Sequence, residues 1–169
     1  MSDWYKAAEE PEIVEFGPVR GLAVSGQGAP GGPAYTAAVG ALYGAFGPLG
    51  LVPPPLEGRW WVNDERPPLE VPREEWHWQL FLRVPDGLDP DVSGHDGIEV
   101  VEFGDGLCVQ MLHCGPYSEE PRSLARMGAL MDAEGLVHAG LHHELYLTDP
   151  REPDGSKVRV ILRQPVRPA

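Results

Sequence analysis

One acidic side chain, Glu144, lies in the middle of a largely apolar segment, residues 141–148. The segment is typical of a β-strand, in which successive side chains point to opposite faces. One face then carries His142, Glu144, Tyr146 and Thr148; the other, expected to pack against helices, carries Leu141, His143, Leu145 and Leu147. Because burying an unpaired carboxylate is costly, we expect Glu144 either to line a wet pocket or to be satisfied by a partner such as a tyrosine hydroxyl. A structural hydrogen bond across the sheet, or an exposed face, is the alternative.

Four tryptophans lie within 19 residues, on two neighbouring predicted strands: Trp60, Trp61, Trp76 and Trp78. Trp76 and Trp78 are two positions apart, so their side chains should share a face. Indoles in a row bind planar apolar or cationic ligands through stacking and cation–π attraction. Large aromatic side chains also fill cores, but four so close together in a small core favour the wall of a pocket. Glu57 precedes the first pair and could supply a second carboxylate; alone, it would be interpreted as a turn residue.

The histidines do not predict a metal site. His142 and His143 are adjacent in a strand and point to opposite faces, so they cannot bind one ion, although His138 could approach from a loop. His113 is typical of a hydrogen-bonded histidine at a strand end. The sequence has no phosphate-binding loop, nucleophile elbow or dinucleotide-binding motif, so no cofactor is predicted.

The composition is that of an acidic globular protein. The 169 residues include 26 acidic and 13 basic side chains, a formal net charge of −13. This charge repels phosphate backbones and anionic lipids, so we expect a neutral or cationic small-molecule ligand, and neither nucleic acid nor a membrane as a partner. No apolar stretch is long enough to span a bilayer and the first ten residues lack a signal-peptide pattern, which predicts a cytoplasmic protein.

Cys108 and Cys114 would lie about 20 Å apart in an extended segment, which predicts free thiols.

The apolar periodicity predicts two copies of a β-α-β-β unit, residues 12–84 and 98–164, within one domain over residues 1–169. Strands are predicted at residues 12–26, 51–62, 76–84, 107–114, 141–148 and 157–163. One helix begins at Pro33 and ends at Gly47; the second is capped by Ser118 and ends at Gly135. The fold class is therefore α+β, with an antiparallel sheet, both helices on one face and a ligand cleft on the other. The sequence leaves the oligomeric state open.

Several segments, taken in order, carry a family resemblance. They are Tyr35 to Tyr43 with Ala-Leu-Tyr-Gly at 41–44, Pro-Leu-Glu-Gly-Arg-Trp at 55–60, Gly-Leu-Cys-Val-Gln-Met-Leu-His at 106–113, Gly-Pro-Tyr-Ser-Glu-Glu at 115–120, His-Glu-Leu-Tyr-Leu-Thr-Asp-Pro-Arg at 143–151 and Val-Ile-Leu-Arg-Gln-Pro-Val at 160–166. Together they resemble the gyrase-inhibitor-like (GyrI-like) small-molecule-binding family over residues 12–166, and its stand-alone members in particular. The resemblance implies two β-α-β-β repeats around a ligand cleft. The DNA-binding domain of the family's regulators has no counterpart in the sequence, so transcription control within this chain is not expected.

The resemblance also implies two functions. In the regulators, a buried glutamate and aromatic walls take up lipophilic cations, and that glutamate falls on Glu144. Some stand-alone members are cyclopropanoid cyclopropyl hydrolases, which open the strained ring of DNA-alkylating natural products and so protect the cell. This chain would then hydrolyse such a ring with a water held by Glu144; the alternative is binding or sequestration of a planar, lipophilic ligand without turnover. The segment Arg-Trp-Trp at 59–61 and a shortened linker at 85–98 depart from typical stand-alone members and alter the rim of the pocket.

The predicted site residues fall into two sets. Those assigned to catalysis are Glu144, Glu57 and Tyr117, with a hydroxyl such as that of Tyr117 or Tyr146 stabilising the departing phenolate. Those assigned to ligand binding are Trp60, Trp61, Trp76, Trp78, Tyr43, Tyr146, His113 and Tyr35.

Overall fold

A computed structural model describes residues 3–169. The prediction that the first ten residues form no signal peptide includes residues 1 and 2, which lie outside the described residues. The described chain has an α+β fold of seven strands and two α-helices, which confirms the predicted fold class. In order, the elements are β1 (Glu12–Gln27), α1 (Pro33–Phe46), β2 (Leu56–Trp61), β3 (His77–Arg83), β4 (Ile98–Cys114), α2 (Glu120–Ala133), β5 (Leu136–His138), β6 (His142–Tyr146) and β7 (Arg159–Pro168). Each α-helix has 14 residues, and within residues 3–169 no helix has the length and apolarity to cross a membrane.

Several strand boundaries differ from the predicted ones. The strand predicted at residues 51–62 is confined to β2, since three prolines at 53–55 cannot donate hydrogen bonds to a ladder. The strand predicted at 107–114 begins earlier, at Ile98, and a short strand that was not predicted, β5, follows α2. Trp76 lies just before β3 rather than within it. The order β-α-β-β is present in the first half, whereas the second half has one more strand, β5, between α2 and β6.

The start of α2 also differs from the prediction. Ser118 does not cap the helix, because Tyr117–Glu119 forms a 3-10 turn and α2 begins only at Glu120. No side chain caps this end. Pro121 lies in the first turn and lacks an N–H, so the helix start has one fewer donor to satisfy.

The chain folds as two compact units. We call residues 19–103 the central unit, and residues 3–18 with 104–169 the terminal unit. In the central unit, β3 is the middle strand, because it pairs antiparallel with residues 21–27 of β1 and with residues 57–61 of β2. Helix α1 packs against β3. The core of this unit consists of apolar side chains from these elements: Leu22, Leu42, Phe46, Trp78, Leu80 and Leu82.

In the terminal unit, β7 is the middle strand. It pairs antiparallel with residues 108–114 of β4 and 143–146 of β6, and its last residues pair with β5. Helix α2 packs against β5. The core of this unit includes the buried side chains Met111, Met127, Met131, Leu145, Ile161 and Leu162. Both cysteines are free thiols, as predicted.

A glycine of β1 leaves no room for a side chain. A Cβ at Gly21 would overlap the backbone carbonyl oxygen of Leu82 and lie 2.6 Å from the ring of Phe81. Because the oxygen belongs to a paired strand, no rotamer change can relieve the overlap. We expect Gly21→Ala to lower the free energy of unfolding by about 2 kcal/mol or more in urea denaturation. Gly40→Ala, at an open position in α1, is the matched control and should be neutral or stabilising; equal stability of the two variants would contradict the packing argument.

Candidate functional site

Glu144 lies on β6 of the terminal unit, opposite Leu162 of β7. The residue is 9% exposed, so its carboxylate is largely removed from water. His142 Nε2 lies 2.7 Å from Glu144 Oε2, which is a hydrogen bond between two side chains on the same face of one strand. The two residues therefore share a face, as predicted. A short hydrogen bond to a carboxylate is stronger than a neutral one and holds the group in one orientation.

Tyr117 is close enough to Glu144 for the two groups to interact electrostatically. It lies in the 3-10 turn before α2 and is 37% exposed. Burial of the phenol raises the pKa of Tyr117 to about 12, and the negative charges of Glu144, Glu120 and Asp149 contribute to the rise. The phenol therefore keeps its proton at neutral pH. In this state it can donate a hydrogen bond and cannot act as a base.

Two other predicted site residues are buried in the terminal unit. Tyr146, two positions after Glu144 on β6, is 7% exposed. His113 Nδ1 lies 2.7 Å from the hydroxyl of Ser123, and its Nε2 lies 3.0 Å from the carbonyl oxygen of Pro116. Since a carbonyl accepts, Nε2–H donates to Pro116 and Nδ1 accepts from Ser123. These two bonds tie β4 to the start of α2 and give His113 the structural role that its position at a strand end suggests.

The terminal unit also contains a buried charged cluster that was not predicted, formed by Asp105, Gln110, His143 and Arg163. His143 Nδ1 lies 2.7 Å from Asp105 Oδ2, and Arg163 Nη1 lies 3.8 Å from the same oxygen. Arg163 Nε donates to Gln110 Oε1 at 3.0 Å. The side chains of His143 and Arg163 have no exposed surface. His143 was expected on a purely apolar face; it does point into the core, but it does so as the partner of a buried carboxylate.

The amino-terminal segment also contacts Arg163. Arg163 Nη2 donates to the backbone carbonyl of Trp4 at 2.7 Å. The guanidinium carbon also lies 4.7 Å from the centre of the Trp4 ring and 3.8 Å from that of Phe16, both within cation–π range. Trp4 and Phe16 are themselves buried. Leu147, by contrast, is 37% exposed, so it does not take its expected place on the packed face.

The central unit brings four of the predicted aromatic residues together, and we call Tyr35, Trp60, Trp76 and Trp78 the aromatic cluster. Tyr35 and Trp60 stack with ring centres 6.0 Å apart, and Tyr35 meets Trp78 edge-on at 5.6 Å. Trp60 and Trp76 also meet edge-on, at 6.2 Å. Trp78 is only 1% exposed and belongs to the core, whereas Trp60 and Trp76 are half-buried. The rings with accessible surface are therefore those of Trp60 and Trp76.

Three further residues were predicted in this unit, Trp61, Tyr43 and Glu57. Trp61 follows Trp60 on β2 and stacks instead on His77, at 5.6 Å between ring centres. Tyr43 lies on α1 and is 37% exposed. Glu57, on β2 opposite Phe81, has no exposed surface.

The two units thus supply different chemistry. The terminal unit contains a largely buried carboxylate beside an imidazole and a protonated phenol, a set suited to holding a water molecule or a cation. The central unit contains partly accessible indoles, suited to stacking on a planar ligand. Among residues 3–169, no three His, Cys, Asp or Glu side chains are grouped so that they could hold a metal ion.

One neighbour of Glu144 was not selected from the sequence. His142 was placed on the correct face but was considered only as a metal ligand. The signal was its position two residues from a carboxylate on one strand, where the Cα atoms are about 6.6 Å apart and an imidazole can reach the carboxylate.

The chain was compared with solved structures. An uncharacterized conserved protein from Listeria innocua superposes with a TM-score of 0.83 and 33% identity, and the match covers 97% of this chain and 95% of that one. A hydrolase from Listeria innocua matches with a TM-score of 0.79 and 32% identity over the same shares of both chains. The C-terminal domain of EcmrR, 12% identical with a TM-score of 0.66 over 95% of this chain and 98% of that domain, has the same fold.

The comparison with curated proteins gave no match. The model of one protein family, the GyrI-like small molecule binding domain, matches residues 9–166. That range contains Glu144, its partner His142 and the whole aromatic cluster. Nearly the whole chain is therefore accounted for by one family model, and the chain belongs to the GyrI-like small-molecule-binding domain family.

Proposed function

We propose that this protein binds a planar, lipophilic small molecule and hydrolyses a strained cyclopropane ring in it, as a defence against DNA-alkylating compounds. The observation that carries the proposal is the buried carboxylate of Glu144, held by His142 beside a phenol that keeps its proton. Similarity to a protein from Listeria innocua described as a hydrolase, 32% identical over nearly the full chain, supports a hydrolytic reaction.

Glu144 and Tyr117 have complementary roles in the proposed reaction. Glu144 takes a proton from a water molecule whose oxygen bonds to the cyclopropane methylene. The carbon–carbon bond of the strained ring breaks, and its electron pair moves through the conjugated dienone to the oxygen, which becomes a phenolate. Tyr117 donates a hydrogen bond to that oxygen, which is finally protonated, so the net change is the addition of one water. General-base assistance of this kind accelerates a reaction by about 10²–10⁴-fold, and ring strain lowers the remaining barrier.

The aromatic cluster supplies the proposed affinity for a planar ligand. Trp60 and Trp76 keep partly accessible ring surface and meet each other edge-on. Tyr35 stacks on Trp60 and itself packs edge-on against the buried Trp78. The proposed binding set also includes Trp61, Tyr43, Tyr146 and His113. Since both nitrogens of His113 are already hydrogen-bonded, its contribution is to hold the start of α2, and Tyr117 before it, in place.

Glu57 is proposed as a second carboxylate of the site. It has no exposed surface, so it reaches a ligand only if the side chains around it move. Its role is therefore secondary to that of Glu144.

Binding without turnover is the second candidate function. The family is one of small-molecule-binding domains, and the accessible indoles suit stacking whether or not a reaction follows. In that case, Glu144 acts as the counter-charge for a cationic ligand.

A spectroscopic assay separates the two functions. Incubation with a spirocyclopropyl cyclohexadienone should convert its dienone absorption to that of a phenol, with the product heavier by one water. Stoichiometric quenching of tryptophan fluorescence by ethidium, a planar cation, without any turnover of the dienone would favour binding alone. If neither probe is bound or converted, both functions are wrong.

Loss of one indole should weaken ligand binding. We expect Trp60→Leu to raise the Kd for ethidium about tenfold, because stacking and cation–π attraction on one accessible ring contribute about 1–2 kcal/mol. Titration by fluorescence quenching measures the change. Trp61→Leu removes an indole one position away, outside the aromatic cluster, and is the matched comparison. An equal or greater loss in Trp61→Leu would show that the cluster is not the principal stacking surface.

A further inference from the structure

His142 has an interaction that the proposed reaction does not yet use. Its side chain is 24% exposed, whereas that of Glu144 is 11% exposed, and a 2.7 Å hydrogen bond joins the two side chains. Both groups project from the same short strand, β6, which pairs with β7 from His143 to Tyr146. The contact is therefore built into rigid structure and does not depend on a loop.

We propose that His142 is a positioning residue for Glu144, and that its charge sets the lower pH limit of the protein's activity. This inference rests on the proposed function, since it concerns the working state of the proposed base.

The first part follows from hydrogen-bond chemistry. A carboxylate only accepts, so the imidazole must carry a proton on Nε2 whether it is neutral or charged. That bond fixes the rotamer of Glu144 and engages Oε2. Water or a cationic group must then be held chiefly by Oε1, which gives the carboxylate one defined working direction.

The second part follows from charge. With a neutral imidazole, the pair has a net charge of −1 and Glu144 can accept a proton or attract a cation. A histidine changes charge between about pH 5 and 8. Once His142 is protonated, the pair is neutral overall, the carboxylate is a weaker base and its attraction for a cation is largely cancelled. Activity should therefore be lower at a pH at which the imidazole is charged than at a pH at which it is neutral.

Other titratable groups lie near the pair. His138 on β5 interacts with His142, and burial together with the charge of His142 lowers the pKa of His138, so that His138 is uncharged near neutral pH. Tyr117 keeps its proton. The residues of β7 opposite Glu144 and Tyr146 are Leu162 and Val160, which carry no charge.

Two substitutions of His142 test the inference. For each variant, the rate of ring opening of the spirocyclopropyl cyclohexadienone and the Kd for ethidium are measured from pH 5 to 9. His142→Gln keeps an N–H donor without a titratable charge, and His142→Leu removes the donor. At pH 8 we expect His142→Gln to stay within about threefold of the wild type and His142→Leu to lose about 10–100-fold, as for loss of a hydrogen bond to a charged group. The fall in activity between pH 8 and pH 5 should be present in the wild type and reduced or lost in His142→Gln.

The failures of the inference and of the proposed function are distinguishable. If Glu144→Gln loses activity while both His142 variants keep the wild-type rate and pH profile, the inference is wrong and the proposed function stands. If Glu144→Gln changes nothing, the proposed function fails. A readout that needs no ligand is the ¹⁵N NMR spectrum of the imidazole: the inference requires neutral His142 to carry its proton on Nε2, and a proton on Nδ1 would overturn it.

Discussion

Glu144→Gln is expected to reduce the rate of cyclopropane ring opening by about 10²–10⁴-fold, the contribution of a general base. Glutamine has nearly the same size and keeps a carbonyl oxygen to accept from His142 Nε2–H, so β6 should retain its structure. What is lost is the ability to take a proton from water. The rate should be measured from the decay of dienone absorption, with circular dichroism as the check on folding.

The same variant separates catalysis from binding. If the proposed hydrolysis is correct, ethidium and a neutral planar probe such as pyrene should still quench tryptophan fluorescence in Glu144→Gln, with ethidium binding weakened more because the negative charge is gone. Glu134→Gln, which removes an equally charged but exposed carboxylate just after α2, is the matched control and should leave both rate and binding unchanged. If Glu144→Gln and Glu134→Gln behave alike, Glu144 is not the site carboxylate.

The local part of the site could be predicted from the sequence. Alternation along residues 141–148 placed His142 and Glu144 on one face, because every second side chain of a strand points to the same face. The indole spacing likewise brought Trp60 and Trp78 onto neighbouring strands, and the register places them directly opposite each other. Trp60 and Trp61 are adjacent in the strand, so their side chains point to opposite faces. The sequence analysis did not use this consequence.

The non-local part could not be predicted. Asp105 and His143 are 38 positions apart, and Arg163 donates to the carbonyl of Trp4 across 159 positions. Nothing in the periodicity of either segment indicates these partners, since they are set by strand register and by where the amino-terminal segment lies. His143 was therefore interpreted as part of an apolar face, although a buried imidazole needs a partner.

The charged cluster leads to the largest expected effect on stability. Asp105→Ala should lower the free energy of unfolding by about 3–5 kcal/mol, because it removes the carboxylate 3.8 Å from the buried Arg163 guanidinium and a hydrogen-bond partner of His143. Urea denaturation followed by tryptophan fluorescence measures the loss, since Trp4 lies over Arg163 and reports on the same region.

This test needs control variants that separate the effect of burial on stability from the effect of charge. Asp132→Ala removes an exposed aspartate from the last turn of α2, where a negative charge is unfavourable beside the helix C-terminus, and should change stability by less than about 0.5 kcal/mol. Arg163→Met keeps an unbranched side chain against Phe16 and Trp4 but removes the charge, so it should also be strongly destabilising if the ionic contacts matter. If Asp105→Ala costs no more than Asp132→Ala, the surroundings accommodate the buried guanidinium without Asp105, and its contacts with Gln110, the Trp4 carbonyl and the two rings are sufficient.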